Sequence, residues 1–244
     1  MALAFDAEAN SGAKDSVSSV SYSHTCTGSN LILLVCCTVA SANSFVVSTV
    51  KYNGVSLTLG KNENTTSGLN HTSIYYLVNP ATGAHTVAVT YTGSIDAGAV
   101  TSISLTGAAQ SSPIDATGSA EDTVGTGTTT ANITTATANA WLIDSYFDNP
   151  GGALGSASVG SGQTSRSNIP DSVVGVVSGS STKATTTVGA YSTTWTDTSS
   201  SPDGILSVVA IKPAVAVSFT WQQLTPAGQE LPREFFDRAE VVDY

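Results

Sequence analysis

Apolar and polar positions alternate with a period of about two along most of the chain, and the helical period of about 3.6 is nearly absent before residue 214. In "VSSVSYSHTC" (17–26) the set Val20, Tyr22, His24 and Cys26 falls on one face, with Ser19, Ser21, Ser23 and Thr25 on the other. This is the signature of a half-buried strand. "HTVAVTYTG" (85–93) repeats it with Val87, Val89 and Tyr91 inward. "NLILLVCCTVA" (30–40) and "GILSVVAIKP" (204–213) are instead almost unbroken apolar runs, which suits central strands covered on both sides or packed in a sandwich core. In "VKYNGVSLTL" (50–59) Asn53-Gly54 supplies the two positive-φ residues of a type I′ hairpin turn. Further breaks fall at 79–83, 107–113, 149–155 and 199–204, and each is short enough to be a turn. The expectation is all-β: a single jelly-roll-like antiparallel β-sandwich domain over residues 1–213, followed by a C-terminal extension, 214–244.

The extension changes character. It ends "LPREFFDRAEVVDY", and over 231–242 Pro232 suits a first helical turn and Glu234 and Arg238 stand four apart. Phe235, Ala239 and Val242 form a stripe beside Phe236, so a short amphipathic helix is predicted. A helix of about a dozen residues is marginal alone in water, so these four side chains are candidate docking residues. The surface they cover is the chain's own sandwich or another subunit; a C-terminal secretion signal is the remaining alternative.

Composition narrows the function classes. The 244 residues include 8 basic and 18 acidic side chains, a formal net charge of −10, which leaves little for counterion-release binding to nucleic acid. Hydrophobic residues make up 41% and charged residues 11%, predicting a folded body whose surface is mostly hydroxyl and amide. "MALAFDAEANSG" lacks a basic n-region and an apolar core, and no run approaches the ~18 apolar residues of a membrane span. A soluble chain without a membrane partner is expected. Of the three cysteines, Cys36 and Cys37 are neighbours that a strand would send to opposite faces, so buried reduced thiols are expected, a pair involving Cys26 being the alternative.

Chemistry-bearing constellations are sparse. Asp144 and Asp148 could form a carboxylate pair, but four residues apart on one strand they stand ~13 Å from each other, too far for either glycosidase mechanism. His24, His71 and His85 fall on separate predicted strands or loops, and no nucleophile, zinc or phosphate-loop motif occurs in a usable context. An enzyme is not expected, nor any cofactor except Ca2+, for which Asp6 and Glu8 on one face of an edge strand are candidates. For sugar binding, Trp195 in "YSTTWTDTSS" is the candidate platform, with core or rim packing as its other reading; Trp141 reads as core.

The succession "TGSNLILLV", "VKYNGVSLTL", "IYYLVNPATGAHTVAVTYTG", "AVTSISLTGAAQSSPI", "NAWLIDSYF", "GSGQTSR" and "GILSVVAIKP" resembles a recurrent β-sandwich module of tailed-phage virion proteins and bacterial surface proteins. The likeness covers roughly residues 5–213. It implies decoration, fibre or adhesin roles, some of them carbohydrate-binding, and carries no catalytic signature. The expected function is a structural virion component (capsid decoration, fibre or tail-associated protein). It would form a homo-oligomer with other virion proteins as partners, assembled in the host cytoplasm. The alternative is a carbohydrate-binding module or adhesin of a bacterial surface protein, with glycan as ligand.

Overall fold

Alternating runs become strands with one covered face, and the unbroken apolar runs become strands covered on both. The computed structural model describes residues 2–41, 47–149, 157–172, 175–198 and 203–215. In the first half, β1 (Ala4–Asn10), β2 (Lys14–Asp15), β3 (Ser19–Cys26), β4 (Ile32–Ala40), β5 (Val47–Tyr52), β6 (Val55–Ser56), β7 (Thr58–Asn64), β8 (Asn70–Val78), β9 (Gly83–Tyr91) and β10 (Ala97–Thr106) form two antiparallel sheets. Their orders are β1-β10-β4-β8-β7, with β2 on β10, and β3-β9-β5-β6. In the second half, β11 (Ile114–Glu121), β12 (Thr128–Thr135), β13 (Trp141–Asp148), β14 (Ala157–Val159), β15 (Thr164–Asp171), β16 (Val176–Ala184), β17 (Gly189–Asp197) and β18 (Ile205–Ile211) form two more. These run β11-β18-β13-β16-β15 and β12-β17-β14. Apart from the two-residue strands β2 and β6, which have no counterpart, the second half repeats the strand order of the first, β1, β10, β4, β8 and β7 corresponding to β11, β18, β13, β16 and β15.

A single sandwich over 1–213 therefore does not describe the chain: four sheets stack in sequence, with three apolar layers between them. Val20, Val87 and Val89 meet Leu33, Val35 and Val39 in the first layer. Leu142, Leu206 and Val208 meet Ala131, Ile133 and Trp195 in the third. Between the halves, Ile32, Leu34, Ile74 and Ile103 pack on Ile143, Val209 and Ile211. This middle layer is why β4, β13 and β18 are buried along almost their whole length. Cys36 and Cys37 point to opposite faces as the alternation requires, Cys36 into the middle layer and Cys37 into the first.

The break at 107–113 is the joint between halves. Ala108 bridges Pro213, the Ala109 N–H donates to Lys212 O, and the Lys212 N–H donates to Pro113 O. The middle layer also buries hydroxyls, and three pairs of them meet across it. Thr38 Oγ1 donates to Ser178 Oγ at 2.7 Å, Thr101 Oγ1 to Ser167 Oγ at 2.9 Å, and Thr72 and Ser207 lie 2.6 Å apart.

The hairpin is as the sequence predicts: Tyr52 pairs with Val55 around Asn53 (φ 48°) and Gly54 (φ 78°). Gly54→Val is expected to cost about 1 kcal/mol, because a β-branched residue resists positive φ. An unchanged denaturant midpoint would contradict that. No helix occurs among the described residues, and the predicted helix at 231–242 lies outside them.

Candidate functional site

Trp195 is not a sugar platform. It is 0% exposed, and its indole stacks on Tyr146 with ring centroids 5.2 Å apart and planes 3° from parallel. Its Nε1–H donates to Asp144 Oδ1 at 3.2 Å. The physical reason is position: Trp195 faces inward near the middle of the third layer, and Gly179 opposite leaves the space its ring fills. Trp141 packs in the middle layer, in keeping with its core reading.

Asp144 lies wholly inside the second half. Besides Trp195 it accepts from Ser181 N (2.7 Å), Ser181 Oγ (2.7 Å) and Gln163 Nε2 (3.1 Å). Burial outweighs these hydrogen bonds and pushes its carboxyl from the usual 3.8 up to about 6. Asp148, at the other end of β13, accepts from Asp203 N at 2.6 Å. The two carboxylates serve separate networks.

His24 and His85 are direct cross-strand partners, both edge-on to Tyr52, with centroids at 6.3 and 5.6 Å. His71 stands apart, with Nδ1 2.6 Å from Asn64 Oδ1. His24 is buried between Ser102 Oγ (2.8 Å) and Ser104 Oγ (3.0 Å), and burial holds its ring down at about 4 against the pull of the Asp6 charge. This neutral imidazole and the buried Asp144 carboxyl have opposite pH signatures. Between about 6.5 and 4 the unfolded chain protonates His24 and the folded one does not, so this group's contribution to stability is lost as pH falls. Between 3.8 and about 6 the folded chain keeps a proton on Asp144 that the unfolded one releases, so its contribution is lost as pH rises. The two slopes oppose each other in the parent. His24→Gln should make stability fall more steeply with rising pH through this window, and Asp144→Asn should reverse the trend. Midpoints measured from pH 4 to 7 that run parallel in all three proteins would refute this.

Asp6 and Glu8 do not converge as a calcium pair. A bulge in β1 between Phe5 and Ala7 displaces Asp6, whose carboxylate accepts from Thr27 N at 2.9 Å, Thr27 Oγ1 and Ser104 Oγ at 2.6 Å. Glu8 Oε1 accepts from Asn10 Nδ2 at 2.9 Å. Among the described residues no cluster of three or more His, Cys, Asp or Glu forms a metal site. The docking candidates Phe235, Phe236, Ala239 and Val242 lie outside the described residues.

A shallow open groove of about 420 Å³ lies where β11, β12 and β17 meet. Thr117, Asn132, Ile133, Thr134, Ala190, Tyr191 and Ser192 line it, with Ile133 and Tyr191 on the inner face of their strands and Asn132, Thr134 and Ser192 on the outer. Tyr191 shares a face with Trp195 but lies near the strand start, so its ring is only partly covered by the third layer. Its hydroxyl donates to Thr187 O at 2.9 Å, which fixes the ring's direction. The outer face beside the groove is a hydroxyl ladder: Thr130 pairs with Thr194, Oγ1 to Oγ1 at 3.0 Å, and Asn132 pairs with Ser192. Sequence reasoning missed Tyr191. The available signal was its four-residue spacing from Trp195, which puts the two aromatics on one face at different depths.

No helix of the described residues is long and apolar enough to cross a membrane. No protein-family model and no curated protein matches the chain. Among solved structures, a Paenibacillus xanthan lyase overlaps 86% of this chain and 25% of its own, at 13% identity and a TM-score of 0.28. The chain thus spans about a quarter of that enzyme's length, and an overlap at this score assigns neither fold nor activity.

Proposed function

We propose that the chain is a non-enzymatic display and binding module whose ligand is a glycan held in the groove beside Tyr191. The supporting observation is the groove's lining at a sheet edge, where the part-covered Tyr191, its hydroxyl held by Thr187 O, comes together with the neutral polar residues Thr117, Asn132, Thr134 and Ser192, a mix that suits a sugar ring. A neutral ligand also agrees with the acidic balance of the chain. Asn132→Ala removes an exposed amide without disturbing the core and should weaken glycan binding about tenfold, roughly 1.4 kcal/mol. Tyr191→Ala should abolish it. A glycan array on which the parent binds nothing, or on which both variants bind like the parent, would remove this reading.

A second reading places the same body in a tailed-phage particle, assembled in the host cytoplasm as a homo-oligomer with other virion proteins. The observation that favours it is the state of the thiols. Cys26, Cys36 and Cys37 are all free and buried, and unpaired thiols suit a reducing compartment. In this reading residues 214–244 dock. Their deletion should leave a folded body that no longer sediments as an oligomer. A truncated chain that assembles like the parent would sink the docking role.

A further inference from the structure

The two halves meet as two copies of one surface would. β1 packs on β15 at one rim, and at the other its counterpart β11 packs on β7, the counterpart of β15. β10 packs on β16 and β18 on β8, while between them β4 lies on its own counterpart, β13. Each of these contacts recurs with the halves exchanged, which is the pattern of an isologous interface about a two-fold axis. The departure from it is that β13 reaches β8 more closely than β4 reaches β16.

The repetition extends to single residues. Bulges break β1 between Phe5 and Ala7 and β11 between Ile114 and Ala116, and likewise β7 between Leu59 and Lys61 and β15 between Ser165 and Ser167. The bulged Asp6 and Asp115 each accept from the N–H and hydroxyl of a threonine, Thr27 and Thr137. Asn30 and Asn139, just ahead of β4 and β13, take positive φ of 48° and 58°. In register, Ile32, Leu34, Ile103 and Leu105 match Trp141, Ile143, Val209 and Ile211, and all of them pack in the middle layer. The axis passes beside Cys36, whose thiol donates to Asp144 O at 3.7 Å and faces the hydroxyl of Ser145, the residue of its own register in the other half.

We propose that the middle-layer face of the first half is self-complementary and that its further partner is a second copy of itself, so that two chains join first half to first half when the joint opens. The first half has a core of its own beneath that face, where Leu33, Val35 and Val39 meet Val20, Val87 and Val89. Self-pairing also suits the face. Ile74 matches Ser180, whose buried hydroxyl has no hydrogen-bond partner among the described residues, so in the self-pair an apolar side chain takes the place of a costly orphan. Thr72 matches Ser178, so Thr38 exchanges one hydroxyl partner for another. The cost falls at the rim, where Gly60 stands in the register of Arg166 and the Phe5 ring loses its guanidinium. A homo-oligomer formed in this way uses none of the residues 214–244.

The test starts from the full chain with a protease site inserted between Ser111 and Ser112 and cut only after folding, so that both halves are present. The cut chain is loosened in mild urea, diluted, and weighed by native mass spectrometry. A species of twice the first-half mass should appear beside the mixed pair. Ile74→Ser then reads the symmetry: the side chain enters the self-pair twice and the mixed pair once, so about a tenfold loss of affinity in the mixed pair should become about a hundredfold loss in the self-pair. Mixed pairs and single halves alone, at concentrations where the mixed pair re-forms, would overturn the proposal. A self-pair that loses no more than the mixed pair on Ile74→Ser overturns it too, because that dimer uses another face. Loss of all pairing on cutting does the same, by showing faces that hold only while tethered.

Discussion

Trp195→Ala is expected to lower the unfolding free energy by about 3–5 kcal/mol, the range for removing a large buried aromatic. Three losses add. The ring's packing in the third layer goes, its stacking on Tyr146 goes, and Asp144 loses one of the donors that offset its burial. A surface tryptophan would be lost at little cost, so the denaturant midpoint alone separates the core role from a ligand platform. The reciprocal change makes the same point from the other side of the layer. A β-carbon added at Gly179 would stand 2.4 to 2.9 Å from three atoms of the Trp195 ring, and the ring cannot retreat while it is stacked on Tyr146. Gly179→Val should therefore approach the effect of Trp195→Ala and quench the near-ultraviolet aromatic signal. A variant with the parent's midpoint would mean that the layer is loosely packed.

Gly98→Val should be comparably damaging, about 3 kcal/mol or more, for a different reason. At Gly98 the added carbon would fall 2.1 Å from the backbone oxygen of Thr38, and a backbone atom held in a ladder cannot swing aside. Gly98 sits where β10 is flanked by Lys14 on one side and Val39 on the other, so the strain enters the centre of a sheet. The adjacent Thr38 Oγ1 bonds the backbone of Ala99 and reaches Ser178 in the other half, so hydrogen exchange should quicken in both halves. Faster exchange confined to β2 would show that the strain is absorbed at the edge.

Local pattern was readable and global stacking was not. Val20, Tyr22, His24 and Cys26 declare one covered face because each strand records its own burial. The Asn53-Gly54 turn declares itself because few residues tolerate two positive φ values in succession. The run Ile32–Ala40 records that both faces are covered, yet nothing in it says whether the second cover is a loop, a subunit or a repeat of the same half. The repeat escaped notice because the paired positions share only their alternation: Cys36 occupies in β4 the register that Ser145 occupies in β13, each opposite its own β10 or β18. The site residues divide the same way. Trp195 and Tyr191 share a face, and their depths follow from the length of the layer above them, which no single strand encodes. Gln163, Ser181 and Asp144 are brought together by two strands and a turn, and their spacing in sequence is mute.

The joint at 107–113 gives the duplicated halves a partnership normally seen between separate molecules. Across their shared boundary the Arg166 guanidinium lies 3.8 Å over the Phe5 ring at one rim, and Ser119 Oγ donates to Glu63 at 2.6 Å near the other. Either half alone would turn Ile32, Leu34 and Ile103, or Ile143, Val209 and Ile211, to water. Severing the chain inside the joint would convert this contact into a bimolecular one, held together only above a threshold concentration. The short peptide between Ala108 and Ile114 thus acts as a tether, keeping each half at a high effective concentration for the other.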